Sequence, residues 1–244
     1  MRTRLARLLG IEGPAPPAPA AQPAGPDYKG AWNAAARQGA EDAVLTGATE
    51  ERFEFAGRTD ADLVGRYLRG GDVVLNLGCG VGRVDRYLAP KVAELWAVDV
   101  SDEMIRRARE RLAGLPNVSL REVGNREFLS GFGADRFDLV FSFLVLQHLE
   151  KEDAFLYLRD AWRVLKPGGT LLAQFPNFLF AGYANAFVDG AVVAERSPGR
   201  VRASTEAEVR HTLGLAGFEI AELWLGGHWD PTAEIYVAGR KPRP

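Results

Sequence analysis

Cysteine is almost missing from this chain: Cys79 is the sole thiol in 244 residues. One cysteine closes no internal disulfide, so the fold is expected to hold without covalent staples and suits a reducing, cytoplasmic setting. Histidine is scarce as well, at three residues. No Cys/His cluster surrounds any of them, so no metal centre is expected. No apolar run approaches the roughly 18 residues of a membrane span. An excess of one charge is also lacking. Thirty Lys and Arg against 32 Asp and Glu leave a net charge of -2, without the basic surplus of a dedicated DNA or RNA binder. With these classes set aside, 47% hydrophobic residues in a chain of this length suffice for one good-sized core.

The first 26 residues stand apart. In "MRTRLARLLGI" the residues Arg2, Arg4 and Arg7 alternate with Leu5, Leu8 and Leu9. The apolar part is too short and too interrupted by arginine for a secretory signal. "GPAPPAPAAQPAGP" (13–26) follows, a semi-rigid linker because proline removes amide donors and favours extended backbone. Residues 1–26 read as a disordered tail. The sharper alternative is weak peripheral or protein docking through residues 1–11.

Beyond the linker, strand and helix patterns alternate. Helices are predicted at 28–40 and 58–69, then strand "DVVLNL" (72–77), helix "GRVDRYLA" (82–89), strand "AELWAVDV" (93–100) and helix "SDEMIRRARERL" (101–112). In that last helix Met104, Ile105, Ala108 and Leu112 share one face, and Ser101 is placed to cap it. Strands "VSLREV" (118–123) and "RFDLVFSF" (136–143) follow, then a helix at 152–165 stopped by "KPGG" and a strand at 170–176. A helix at 205–217 has Thr205 and Glu208 at capping-box spacing. Two strands, 218–225 and 233–239, come with no helix between them, so they must be antiparallel neighbours. The whole is an α/β fold, a doubly wound and mostly parallel sheet. Domain limits are drawn at 27–57 for an N-terminal helical cap and 58–244 for the sheet domain.

The chemistry concentrates where the first strand ends. "GCGVG" (78–82) follows a buried strand and opens a helix, so backbone amides face whatever ligand lies there. The next strand ends in Asp99, which can accept two hydrogen bonds from a ribose diol. A glycine loop with a downstream aspartate indicates an adenosine-type cofactor, although such a loop by itself also describes a tight turn. A dinucleotide fingerprint would need a third glycine at position 83, which is Arg83. That and the closing hairpin disfavour a nicotinamide oxidoreductase.

The segments "LNLGCGVGR" (75–83), "VDVSDEMI" (98–105), "FDLVFSFLVLQHL" (137–149) and "LKPGGTLL" (165–172), in this order and spacing, resemble the class I S-adenosylmethionine-dependent methyltransferases, most closely the small-molecule branch. The resemblance covers roughly residues 60–240. It implies a Rossmann-like seven-stranded sheet of order 3-2-1-4-5-7-6 with strand 7 antiparallel, S-adenosylmethionine as cofactor and S-adenosylhomocysteine as product. It also assigns positions. Gly78, Gly80 and Gly82, with Cys79 among them, let the methionine part of the cofactor approach. Asp99 holds the ribose, and Val100 and Met104 pack by the adenine. Asn125, beside Arg126, takes the adenine amino group. Ser142 and Phe143 lie along the methionyl chain, and His148 faces the reaction chamber as candidate general base or as a packing residue. Asn76 and Asn125 stand where carboxylates are usual; each can still accept a hydrogen bond but without charge assistance.

The small-molecule acceptor is expected between the N-terminal helix, with Tyr28 and Trp32, and the insert at 177–190, with Phe178, Phe180 and Tyr183. The alternative is that these aromatics only pack the cap. Arg196, Arg200 and Arg202 meet an acidic acceptor or form a solvated loop. His228 lies on the hairpin loop "GGHWDP" (226–231), which reads as a simple turn or as a loop reaching the rim of the sheet. The implied reaction is methyl transfer to an O, N or C acceptor by in-line displacement. A catalytically weak methyltransferase-like binding protein acting through a partner is the alternative.

Overall fold

The computed structural model describes residues 26–125, 129–191 and 200–243. The tail at 1–25, Arg126 and Arg196 lie outside the described residues.

Seven strands form one sheet of order β3-β2-β1-β4-β5-β7-β6. At its centre β1 (Val73–Leu77) runs parallel to β2 (Glu94–Asp99) and β4 (Phe137–Ser142). β3 (Val118–Glu122) extends the sheet beyond β2, and β5 (Leu165–Pro176) beyond β4. β7 (Glu234–Arg240) inserts antiparallel between β5 and β6 (Glu219–Gly226). Order and direction are those implied by the resemblance.

Strand alternation feeds two cores. Leu75, Leu77, Val140, Leu171 and Val237 pack on Tyr157, Leu158, Ala161, Val209 and Leu213, which belong to α5 (Lys151–Val164) and α7 (Glu206–Leu215). Val74, Leu139, Phe141, Leu172 and Tyr236 face the other way, onto Ala61, Val64 and Leu88. Those residues belong to α2 (Glu50–Gly65) and the single turn α3 (Asp85–Leu88). Both faces are covered because parallel strands need crossover helices on either side. The Thr205–Glu208 capping box is formed as its spacing suggests.

Several boundaries differ from the sequence reading. α1 (Tyr28–Val44) is longer than 28–40 and bends at Gly39, whose backbone is extended (φ 170°). The helix predicted at 58–69 begins at Glu50, because Thr49 caps it by accepting from the Arg52 amide. The limit drawn at 57/58 falls inside this helix. The helix predicted from Gly82 is reduced to Asp85–Leu88, since Gly78, Gly80 and Gly82 all have positive φ and hold the chain in turns. "KPGG" ends α5 but is itself the start of β5. There the Gly168 amide donates to the Lys241 carbonyl and the Lys241 amide to the Gly169 carbonyl, a pairing with the distant C-terminal segment that no local pattern announces. The insert after β5 contributes α6 (Ala181–Ala191), none of whose residues is buried.

Candidate functional site

The carboxyl ends of β1 and β2 open into a cavity with an empty volume of about 660 Å³. Gly78, Gly80, Asp99, Val100 and Met104 form one wall, and Tyr28, Trp32 and Val44 of α1 form the roof. Ligands of open α/β sheets lie in this crevice because the glycine turn and the strand ends leave backbone polar groups and space there. At Gly80 (φ 53°) a Cβ would stand 2.9 Å from Val44, so a side chain would close the mouth between loop and roof.

Asp99 is half-buried at the end of β2. Its two oxygens accept from the amides of Gly80 (2.9 Å) and Ser101 (2.9 Å). Burial raises its pKa, against the pull of the Ser101, Gly80 and Val100 amides. Each carboxylate oxygen still has a lone pair to offer a hydroxyl donor. Ser101 caps α4 (Asp102–Arg111) through the Met104 amide, which sets Met104 against the cavity. α1 is tied down from both sides. The Tyr28 hydroxyl donates to Asp153 (2.8 Å) and accepts from the Glu150 amide (2.9 Å). The Asn33 amide nitrogen donates to Asp102 (2.7 Å) and its oxygen accepts from the Ser101 hydroxyl (2.6 Å).

The residues singled out in the sequence are thus only partly brought together. Gly78, Gly80, Asp99, Val100 and Met104 share the cavity, and so do Tyr28 and Trp32, which the sequence reading gave to the acceptor. Cys79 and Gly82 support the turn from behind; burial raises the Cys79 thiol well above its usual pKa, further discouraging a reactive thiol. The Ser142 hydroxyl donates to the Leu77 carbonyl (3.0 Å), joining β4 to β1. Asn125 accepts from the Lys29 amide (2.7 Å) and donates to Asp27 (3.1 Å), so it holds the start of α1. His148 meets Trp32 edge to face at 4.9 Å and contacts Gln147 at 3.1 Å. Phe178 and Tyr183 line a separate open groove with Phe187, Arg200 and Arg202. Arg202 is no solvated loop residue: it donates to the His148 carbonyl and to Glu150.

Three residues from separate segments form a buried charged cluster that the sequence did not reveal. On the α2 side of the sheet, buried Asp60 bonds Arg83 (2.7 Å), and His228 Nε2 lies 3.1 Å from its other oxygen. Burial opposes the charge on Asp60, but Arg83 and His228 outweigh it and lower its pKa. Burial likewise opposes charge on His228, yet Asp60 prevails and raises its pKa. The loop at 227–233 is therefore anchored rather than a simple turn, a correction no local signal could supply. Phe143 packs nearby against Tyr236 at 5.9 Å between centroids. Among the described residues no His/Cys/Asp/Glu group could hold a metal ion.

A glycine turn, an acidic strand end and this strand order define the architecture of nucleoside-cofactor methyltransferases. The sequence agrees. Residues 74–169 match the family described as a methyltransferase domain. The chain is 32% identical over 176 residues to a ubiquinone biosynthesis O-methyltransferase of Azorhizobium caulinodans, covering 67% of this chain and 68% of that protein. It is 35% identical over 113 residues to the ubiquinone/menaquinone biosynthesis C-methyltransferase UbiE of Neisseria meningitidis, of whose length it spans 43%. Magnesium protoporphyrin IX methyltransferase from Synechocystis, solved with S-adenosylhomocysteine, has the same fold, with a TM-score of 0.67 at 20% identity over 87% of this chain and 97% of that one. The chain belongs to the S-adenosylmethionine-dependent methyltransferases. S-adenosylmethionine is its cofactor, and no helix among the described residues is long and apolar enough to cross a membrane.

Proposed function

We propose that this protein transfers a methyl group from S-adenosylmethionine to an oxygen or carbon nucleophile on a small, partly apolar, ring-bearing molecule. The observation that carries the reading is the single cavity shared by Gly78, Gly80, Asp99 and Met104 under the α1 roof. Its donor set fits the cofactor: a carboxylate for the ribose hydroxyls, apolar side chains for the base, and a side-chain-free turn for the amino-acid end. When bound, the cofactor supplies an electrophilic methyl on a sulfonium. The protein's part is to position and to exclude water. Asp99 orients the ribose, while Val100 and Met104 fix the base. The roof, latched by Tyr28 to Asp153 and Glu150, keeps solvent out. The packing of His148 on Trp32 supports a role in setting the roof more than one in proton transfer. The groove lined by Phe178, Tyr183 and Phe187 supports entry of the acceptor from the α6 side. The names of the O- and C-methyltransferase relatives support a ring-bearing acceptor.

Calorimetric titration with S-adenosylmethionine and S-adenosylhomocysteine tests the cofactor site. Micromolar binding is expected, and Asp99→Ala should weaken it by at least about tenfold, as loss of two charge-assisted hydrogen bonds requires. Unchanged affinity in Asp99→Ala would overturn the assignment of the ribose site.

A further inference from the structure

Glu234 opens β7 at the ligand end of the sheet. Its Cα is in register with Pro176, the last residue of β5. The side chain is 7% exposed, on the same sheet face as Tyr236. The Tyr183 hydroxyl of α6 donates to Oε1 (2.5 Å), while Oε2 is buried with no hydrogen-bond partner. Burying a carboxylate oxygen unpaired is costly, so such an atom needs an explanation beyond packing.

Its surroundings connect it to the cofactor cavity. The Gln174 side chain of β5 also hydrogen-bonds the Glu234 carboxyl, and its Oε1 accepts from the Leu144 amide at 2.7 Å. Leu144 has φ 59°, a left-handed conformation that is costly for leucine and is retained where structure over-determines it, often at functional sites. The next residue, Val145, lines the cavity beside Gly78. The chain Glu234–Gln174–Leu144–Val145 therefore spans from the start of β7 to the cofactor wall.

We propose that Glu234 is the acceptor-recognising carboxylate of this enzyme: its Oε2 receives the O–H of a neutral hydroxyl-bearing acceptor and takes up that proton as the oxygen becomes a nucleophile. The proposal rests on the methyltransferase reading and narrows it from oxygen or carbon to a hydroxyl oxygen. The proton moves from the acceptor oxygen to Oε2; the new bond is from that oxygen to the methyl carbon, the bond broken is methyl carbon to sulfur, and the sulfur keeps the electron pair as a thioether.

The charged and titratable groups facing Glu234 fit this role. Tyr183 comes from α6, Tyr236 from β7 itself, His228 from the hairpin loop and Asp60 from α2. Burial raises the Glu234 pKa to about 7, although Tyr183, Gln174 and His228 pull it down and Asp60 pushes it further up. A carboxylate near neutrality is matched to accepting a proton at working pH. His228 and Arg83 already neutralise Asp60, so this wall carries cations of its own and disfavours a cationic acceptor. The aromatic rings of Tyr183 and Tyr236 suit a ring-bearing hydroxyl.

Ligand-observed NMR titration of the full chain with phenol and with anisole, each in the absence and presence of S-adenosylhomocysteine, tests the proposal. The two probes differ only in the O–H. Phenol is expected to bind about tenfold more tightly than anisole, the value of one hydrogen bond to a charged group. That preference should grow as pH rises through neutrality. Glu234→Leu should abolish it. Glu234→Gln keeps the shape and an acceptor oxygen, so it should retain a weaker preference that no longer changes with pH. Equal binding of phenol and anisole by the wild type overturns the proposal. So does a preference that survives Glu234→Leu, a pH dependence that persists in Glu234→Gln, or tighter binding of benzylamine than of phenol. Folding of each variant is read from its thermal transition, and S-adenosylhomocysteine affinity on the same samples reads the cofactor site independently. Lack of S-adenosylhomocysteine binding by the wild type sinks the cofactor reading, while the phenol comparison on the free protein still decides the role of Glu234.

Discussion

The Nδ2 of Asn76 lies 3.0 and 2.8 Å from the two oxygens of Asp85, and both side chains are sealed from solvent. The glycine turn folds the chain back so that the strand residue and the first residue of α3 meet. The position where relatives of this class usually carry a carboxylate here carries an amide, and a carboxylate stands opposite it. Burial raises the Asp85 pKa to about 7, although the Asn76 hydrogen bond, its own amide and Arg83 pull it down.

A pH-dependent cost follows. A carboxyl whose folded pKa lies above its unfolded value is bound to its proton more tightly in the native state. The protein therefore loses stability as pH rises from 3.8 to about 7, and the cost is fully present above that window. A shift of this size is worth on the order of 4 kcal/mol. Asp85→Asn removes it, so the variant should gain stability over the wild type progressively across that window, as read from urea midpoints. A difference that does not vary with pH would show that Asp85 does not titrate there.

Arg83 and Asp60 form a buried ion pair, with side chains 4% and 3% exposed. Arg83→Met leaves the buried carboxylate with His228 alone and should cost about 3–5 kcal/mol, whereas Arg83→Met with Asp60→Leu should recover most of that loss. Chemical denaturation of the two variants checks it. A double variant no better than the single one would remove the pair from the account.

His228 adds a pH term of the opposite sign. Its folded pKa is raised above 6.5, so its contact with Asp60 contributes stability that is fully present below that value and fades as pH rises through the folded pKa. His228→Asn should lower the melting temperature more at pH 6 than at pH 9. An equal loss at both would mean that the imidazole acts by packing alone.

One phenol ties the start of the roof to α5. Tyr28→Phe removes both the bond to Asp153 and the one from Glu150. It should cost about 1–3 kcal/mol, the penalty for leaving buried partners unmade. Amide exchange in Tyr28–Val44 should quicken more than in β1, since the latch is local to α1. Uniform quickening across both would refute a separate roof.

Gly57 marks the close approach of α2 to the cofactor turn. A Cβ there would stand 2.7 Å from the Arg83 carbonyl oxygen, a backbone atom that cannot swing aside. Gly57→Ala should therefore destabilise by about 1–3 kcal/mol despite alanine's better helix propensity. A stabilised variant would show that α2 shifts freely.

The strands were legible because a parallel sheet covered on both faces leaves continuous apolar runs such as "VVLNL" and "FDLVFS". The helix at Asp102–Arg111 was legible from its stripe and its Ser101 cap. The glycine turn and the acid at the end of β2 were legible because a turn of positive φ asks for glycine and a strand end is marked locally. The charged cluster around Asp60 and Glu234 was not. Asp60, Arg83, His228 and Glu234 lie on four separate segments, and none has a neighbour in sequence that hints at its partner. Asn125, assigned to the adenine by resemblance, has its amide engaged with Asp27 and Lys29.

What the amino-acid order determined alone is therefore everything set by short-range periodicity and steric permission: the strands and helices, the turn that only glycine allows, and the acid at the end of β2. The tertiary structure alone decided which charges are buried and paired, because desolvation and pairing arise only when remote segments close over one another. Asp85 against Asn76, His228 against Asp60 and the unpaired oxygen of Glu234 are products of that closure.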